Sequence, residues 1–133
     1  MEYLVENGHR SIGYLRGDYR IKAFQYREYG YYRTLGRHGL SEAPEYVVTL
    51  GTTLEAAYED MKAYLEGKPA LPTAYFADND VIALGAMRAL EEKESKYRIR
   101  SLSWDSTISV LGPYPPGTYL QSMYTSRRWE RWR

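Results

Sequence analysis

The sequence predicts an α/β fold in which helices cover both faces of a parallel β-sheet, giving a three-layer arrangement. Short apolar segments alternate with longer segments whose apolar residues recur at helical spacing, which is typical of successive strand–helix units. The chain has 133 residues, of which 44% are apolar and 26% are charged, so a single domain with a sizeable core is expected.

The first predicted unit is a short helix over residues 2 to 7, a strand over residues 11 to 15 and a long helix over residues 21 to 37. The strand is a compact apolar run. The buried face of the long helix is predicted from three residues at spacings of seven and four: Phe24, Tyr31 and Leu35. Gly39 follows as a helix stop.

The second unit is a strand over residues 46 to 50 and a helix that Gly67 and Pro69 end. Thr52 or Thr53 is the predicted N-cap, because a hydroxyl oxygen there accepts an otherwise unpaired backbone N–H. The buried side of this helix is expected to consist of Ala56, Met61, Tyr64 and Leu65.

The third unit is a strand over residues 73 to 77, an Asp-Asn-Asp turn and a helix that opens at Asp80 and continues to Lys93. Three residues at four-residue spacing predict its buried face: Ile82, Ala86 and Leu90. Beyond Arg98 the alternation of strands and helices stops, and residues 101 to 119 show no helical period. Residues 98 to 133 carry six arginines against Asp105 and Glu130, so this tail is basic, with a net charge of +4.

Composition narrows the classes of function. The chain has no cysteine, which excludes a disulfide framework and cysteine-ligated zinc and fits the cytoplasm. No apolar run approaches the roughly twenty residues that span a bilayer, so neither a membrane partner nor export is expected. No nucleophile–base pair or phosphate-binding glycine motif is present, so no catalytic residue and no cofactor is assigned. His9 is interpreted as a turn residue rather than a metal ligand, and no metal site is expected.

Candidate binding residues follow the third strand. Asn79 and Asp80 come directly after it, and open α/β sheets hold their ligands at the carboxyl ends of strands. Taken alone, Asp80 has a simpler reading as the N-cap of the following helix. Arg27, in the middle of the long helix, has the simpler reading of an ordinary exposed arginine.

Four segments in order along residues 3 to 99 resemble the effector-binding core of LacI/GalR-type transcriptional repressors. They are EYLVENGHRSIGYLRG, an arginine three residues before glycine (Arg27 to Gly30), GTTLEAAYEDMKAYL, and LPTAYFADNDVIALGAMRALEE. The resemblance implies a periplasmic-binding-protein-like (class I) fold, and residues 1 to 99 are predicted to be its C-terminal subdomain. It also implies transcriptional regulation by a small molecule such as a sugar.

The resemblance also assigns the ligand residues. Arg27 corresponds to an effector-contacting arginine of the family, and Asn79 to the effector-contacting asparagine of an Asn-Asp pair that includes Asp80. A guanidinium group and a carboxamide can each bind vicinal hydroxyls through two hydrogen bonds. As exposed ligand groups, Arg27 and Asn79 are expected to tolerate alanine with little loss of stability.

The chain departs from the family pattern at both ends. It begins where the second lobe begins, so we expect the DNA-binding head, the hinge and the first lobe to be missing. No direct DNA binding by this chain is therefore expected, and an effector should be held weakly. A lobe without its partner exposes apolar surface, so self-association is also predicted.

The second departure is the divergent tail, residues 100 to 133. We consider the reading frame whose codons start on the third nucleotide of each present codon. Trp is encoded by TGG and Asp by GAT or GAC, so in this frame Trp104-Asp105 must give the glycine codon GGA. The next three shifted codons can encode Phe-Asp-Asp. The same frame forces a glycine within residues 128 to 133 and permits the Pro-Pro of the family across residues 114 to 116. We therefore hypothesise that the tail is an out-of-frame translation, in which case Asp105 does not take the role of the family's effector-binding aspartate. The alternative is a genuine Arg/Trp patch that contacts phosphate.

Two other readings remain open at this point. A solute-binding protein of a sugar importer shares the fold, and a truncated chain can act as a dimerising partner of a full-length repressor. An enzyme is third, because the sequence offers no catalytic constellation.

Overall fold

The computed structural model describes residues 2–6, 8–93, 98–102 and 108–111. In this part of the chain the helices and strands are α1 (Glu2–Glu6), β1 (Ile12–Gly17), α2 (Lys22–Arg37), β2 (Val47–Leu50), α3 (Leu54–Glu66), β3 (Ala74–Ala77), α4 (Asp80–Lys93), β4 (Arg98–Leu102) and β5 (Ile108–Leu111). A 3-10 turn over Pro44–Tyr46 precedes β2. The five strands form one sheet in the order β2-β1-β3-β5-β4.

The centre of the sheet is parallel. β1 pairs in parallel with β2 on one side and with β3 on the other, so that Tyr14 lies between Val47 and Phe76. Helices cover both faces of the sheet. Successive side chains of β1 point to opposite faces, so neighbouring residues contact different helices. Tyr14 packs with α1 and α2, whereas Leu15 packs with α3 and α4. The predicted three-layer α/β fold is therefore confirmed.

The α1/α2 face has an aromatic core. The Tyr14 and Tyr31 rings stack with their centroids 5.0 Å apart, and Phe76 lies against both. The Tyr31 hydroxyl donates a hydrogen bond to the Ile12 carbonyl oxygen at 2.8 Å, so its polar atom is satisfied inside the core. The predicted buried residues Phe24, Tyr31 and Leu35 are all buried.

The α3/α4 face is built from smaller residues. Ile82, Ala86 and Leu90 of α4 are buried as predicted, and Thr53 is the N-cap of α3, where its Oγ1 accepts a hydrogen bond from the Ala56 N–H at 3.1 Å. One prediction for α3 is wrong. Ala57, not Ala56, is the buried alanine, and Tyr64 is only half-buried, because the phase of the helix is set by its close contact with α4.

Beyond Arg98, where the alternation of strands and helices stops in the sequence, the structure has two strands that the sequence did not predict. β4 and β5 pair with each other, and β5 lies beside β3, both in antiparallel orientation. Without β5, the edge of the buried strand β3 would have no neighbour on that side, and an unpaired apolar edge is costly. The predicted boundary between residues 99 and 100 falls within β4. Most of the predicted tail, 103–107 and 112–133, lies outside the described residues, as does Asp105.

His9 lies at the opposite end of the sheet from the predicted ligand site. Its side chain is buried, and Nδ1 is 2.8 Å from the Thr73 Oγ1. Because the Thr73 hydroxyl donates its hydrogen to the Ser11 carbonyl oxygen at 3.0 Å, Oγ1 must accept from an Nδ1–H. His9 therefore joins the turn before β1 to the start of β3. Among the described residues, no cluster of His, Asp or Glu could hold a metal ion.

Burial also makes His9 a source of pH dependence. It lowers the pKa of His9 below its ordinary value of 6.5, because the buried site disfavours the imidazolium. The unfolded chain therefore binds the proton more readily than the folded chain. We expect the free energy of unfolding to fall as the pH falls through 6.5. Urea unfolding of wild type and His9→Gln at pH 7.5 and 5.5 tests this, and equal pH dependence in both proteins would contradict it.

Candidate functional site

The carboxyl ends of β1 and β3 form the edge on which the predicted ligand residues lie. β1 ends at Gly17 and β3 ends at Ala77, and because the two strands are parallel neighbours these ends lie together. The N-termini of α2 and α4 follow within a few residues, at Lys22 and Asp80. This is the position at which open α/β sheets bind small molecules.

A buried carboxylate, Asp78, ties the two strand ends together. One of its oxygens accepts a hydrogen bond from the Tyr14 hydroxyl, and the other accepts from the Gly17 N–H at 2.8 Å. Its own N–H donates to the Leu15 carbonyl oxygen at 3.0 Å. Asp78 thus makes three contacts with β1 and fixes the point from which the following turn leaves β3.

The pKa of Asp78 is raised, because the effect of burial is the largest of several opposing influences. Burial raises the pKa of Asp78, while the hydrogen bonds from Tyr14 and Gly17 and the charges of Arg20 and Arg27 act in the opposite direction. Burial and the bond to Asp78 together raise the pKa of Tyr14, so this phenol remains a donor. Sequence reasoning did not select Asp78. The available signal was an acidic residue directly after four apolar strand residues.

Asn79 has a structural role that the sequence did not reveal. Its Oδ1 accepts a hydrogen bond from the Ile82 N–H at 2.9 Å, which makes Asn79 the N-cap of α4. The simpler reading of Asp80 as the cap is therefore wrong. Because Oδ1 is engaged by the helix, the Nδ2 hydrogens are the part of the amide that can donate to a ligand.

Asp80 is the first residue of α4, and its side chain is exposed. Partial desolvation raises the pKa of Asp80, and the charge of Arg27 acts against this. The charge of Arg27 thus lowers the pKa of both carboxyl groups that follow β3, Asp78 and Asp80, against the larger effect of burial. Asp80 therefore offers an exposed carboxylate acceptor at this end of β3.

Arg27 lies half-buried on α2, and its guanidinium carbon is 5.9 Å from the centroid of the Phe24 ring. It takes part in none of the ion pairs found among the described residues. The neighbouring arginines differ, because Glu28 pairs with Arg16 at 3.4 Å and also with Arg20. Of these three arginines, Arg27 is the one whose charge is not neutralised by a partner in the described chain.

The described residues thus bring hydrogen-bonding groups to this edge. Arg27 and the amide of Asn79 supply donors, and Asp80 supplies an acceptor. The Asp78–Tyr14 pair is buried, so these two side chains hold the strand ends and do not face a substrate. No helix in the described part of the chain is long and apolar enough to span a membrane.

Comparison with known proteins agrees with this architecture. A family model described as a periplasmic binding protein-like domain matches residues 1–100. The HTH-type transcriptional repressor CytR of Escherichia coli (strain K12) is 33% identical over 112 residues, which are 84% of this chain and 30% of the repressor. The HTH-type transcriptional repressor PurR of Pasteurella multocida (strain Pm70) is 36% identical over 111 residues, 84% of this chain and 31% of the repressor.

Solved structures show the same relationship. A sugar-binding transcriptional regulator of the LacI family from Escherichia coli, complexed with phosphate, superposes with a TM-score of 0.61 at 30% identity. The match covers 68% of this chain and 32% of that protein. The chain thus spans about a third of the length of the repressors it matches. It belongs to the family of periplasmic binding protein-like domains, and within that family it aligns with the effector domain of LacI/GalR-type repressors.

Proposed function

We propose that this chain binds a small polar effector, a sugar or a molecule of similar chemistry, as the effector-binding part of a LacI-type regulator. The observation that carries the proposal is Arg27, which forms none of the ion pairs found in the described chain and whose charge acts on the pKa of Asp80, where Asn79 and Asp80 follow the carboxyl end of β3. Similarity to a sugar-binding regulator supports the same ligand class. Effector binding makes and breaks no covalent bond, so we propose that the chain is part of a regulator rather than an enzyme. Its place of action is the cytoplasm, where bacterial DNA lies.

The hydrogen-bond donors and acceptors of the site restrict which functional groups the ligand can carry. Arg27 and the Nδ2 of Asn79 donate hydrogen bonds, so the ligand must present oxygen or nitrogen acceptors toward them. Asp80 accepts, so the same ligand must also carry a donor. Adjacent hydroxyl groups combine both properties, whereas a ligand with acceptors only would leave Asp80 without a partner.

Thermal unfolding in the presence of candidate effectors tests the site. We expect at least one of D-ribose, D-glucose, cellobiose, adenosine and cytidine to raise the Tm, because a ligand that binds only the folded state stabilises it. Arg27→Ala should abolish the shift, whereas Arg33→Ala, a change on the same helix, should preserve it. A Tm shift that survives Arg27→Ala would contradict the assignment. So would a result in which none of the five compounds raises the Tm.

Asn79 calls for two substitutions, because it both caps α4 and is a candidate ligand group. Asn79→Ala should lower the free energy of unfolding by about 1 kcal/mol through loss of the cap. This replaces the earlier expectation of a nearly neutral change. Asn79→Asp should keep the cap and the stability but lose the donor, and therefore lose the ligand-induced shift. Equal stability of Asn79→Ala and wild type in urea unfolding would show that the cap contributes nothing.

We also propose that the chain forms homodimers through α3 and α4. Three apolar side chains on the outer side of this helix pair are exposed, Leu54 by 41%, Val81 by 41% and Leu84 by 40%. A single exposed apolar side chain is ordinary, but three in the first two turns of the packed helices α3 and α4 indicate an apolar contact surface. The same surface would serve the alternative role, pairing with a full-length relative.

In 0.5 M NaCl, where contacts between exposed charges are screened, Leu84→Glu should convert the dimer to a monomer, because a carboxylate buried in an apolar interface has no partner. Light scattering coupled to gel filtration measures the mass directly. Ala70→Glu adds the same charge at an exposed loop position and should leave the dimer unchanged. A monomeric wild-type chain at high concentration would overturn the proposal.

We further infer that residues 100 to 133 are translated out of frame. The inference rests on one shifted frame that permits three family motifs and compels two glycines. Sequencing the locus in all frames tests it, and a shifted frame interrupted by stop codons would overturn it.

A further inference from the structure

The outer face of α2 carries an exposed line of cations and tyrosines. We define the cationic stripe as Lys22, Tyr26, Tyr29 and Arg33, which follow one another at spacings of four, three and four and so share one side of the helix. Tyr26 is 73% and Tyr29 is 66% exposed, and both cations are exposed as well. The stripe lies opposite the buried side of α2, and no acidic residue belongs to it.

The outer face of α3 has the opposite charge at the same spacing. We define the acidic stripe as Glu55, Glu59, Lys62 and Glu66, again at spacings of four, three and four. Its three glutamates are exposed. Lys62 is half-buried, with Nζ 5.7 Å from the centroid of the Tyr58 ring, so it is drawn toward that ring.

Neither stripe is neutralised within the described part of the chain. Lys22, Arg33 and the three glutamates of the acidic stripe take part in none of the ion pairs found there. Other charges at the surface do pair, as Glu2 does with Arg37 at 3.3 Å. Each stripe spans eleven residue steps, which is about 16 Å along a helix axis.

The two stripes point away from each other, because α2 and α3 cover opposite faces of the sheet. One chain cannot bring its own stripes together. A second copy can, since it presents a complementary line of equal length. The cationic stripe has a cation at each end and the acidic stripe a carboxylate at each end, so the charges match in either helix orientation.

We propose that copies of this chain associate head to tail, with the cationic stripe of one copy against the acidic stripe of the next. Exposed ion pairs are individually weak, so several must act together, and Tyr26 and Tyr29 add contact area between them. Each contact leaves one stripe open on either outer side. The association is therefore heterologous and continues beyond two copies, unlike a closed dimer.

Sedimentation velocity of the full chain at low and high salt tests the proposal. The variant Leu84→Glu is used as background so that the apolar contact of α3 and α4 does not contribute. We expect species larger than a dimer at low salt that dissociate in 0.5 M NaCl, because salt screens exposed charges. The double substitutions Lys22→Glu/Arg33→Glu and Glu55→Lys/Glu59→Lys should each abolish them, since both stripes then carry the same sign.

An equimolar mixture of the two double variants tests directly whether the two stripes bind each other. In the mixture every stripe again finds a partner of opposite sign, so the large species should return. Lys68→Glu/Lys93→Glu makes the same change in net charge at exposed positions outside both stripes and should leave self-association intact. Failure of the mixture to associate would overturn the proposal. So would binding of a single-stranded oligonucleotide to the cationic stripe with no self-association, because that would identify a nucleic acid as the partner.

Discussion

Replacing Asp78 by alanine is expected to lower the free energy of unfolding by about 3 kcal/mol. The substitution leaves two buried donors, the Tyr14 hydroxyl and the Gly17 N–H, without their acceptor, and each unsatisfied group costs about 1–3 kcal/mol. Relief of the cost of burying a carboxylate offsets part of this loss, which keeps the estimate near the middle of the range. Urea unfolding followed by circular dichroism measures the change.

Two further variants separate the hydrogen bonds from a general effect of substitution. Tyr14→Phe added to Asp78→Ala should recover part of the loss, because one of the two orphaned donors is then removed. Asp78→Asn should cost less than Asp78→Ala, because the amide oxygen can still accept from the Gly17 N–H, so that only the Tyr14 hydroxyl hydrogen loses its acceptor. Equal losses for Asp78→Asn and Asp78→Ala would show that the hydrogen bonds do not carry the stabilisation.

Gly85→Ala is expected to destabilise the fold by about 2 kcal/mol, although alanine is the better helix former by about 1 kcal/mol. A Cβ added at Gly85 would lie 2.6 Å from the Cβ of Ala57, 2.7 Å from the Leu54 carbonyl oxygen and 2.9 Å from the Tyr58 backbone nitrogen. Two of these atoms belong to the backbone of α3, so no side-chain rotation can relieve the overlap. The helices must therefore move apart, and steric overlap outweighs helix propensity.

Gly30→Ala is the matched control on α2. A Cβ there meets nothing within 4 Å, so propensity alone decides, and the variant should be more stable by up to about 1 kcal/mol. Opposite signs for the two Gly→Ala changes are the expected result of urea unfolding. A stabilised Gly85→Ala variant would mean that α3 and α4 are less closely packed than the distances indicate.

The ligand-site residues show where sequence reasoning reaches its limit. Periodicity could place Asn79 and Asp80 after a buried strand, and the family resemblance could single out Arg27. Neither could show that Asn79 caps α4, since Asn and Asp are both favoured at that position and only the Oδ1–Ile82 contact distinguishes them. The sequence likewise could not show that Glu28 pairs with Arg16 and Arg20, and not with Arg27, because side-chain pairing depends on the folded structure.

The sequence by itself determined the order of the first seven helices and strands, the buried faces of α2 and α4 and the parallel centre of the sheet, because hydrophobic periodicity is a local signal. Tertiary structure alone decided three features. Asp78 is held by Tyr14 and Gly17, more than sixty residues earlier, and β5 pairs with the edge of β3. The third is the contact of α3 with α4 at Gly85, which selects the buried alanine of α3. Each depends on atoms far apart in the chain, whose distance is set only when the layers pack.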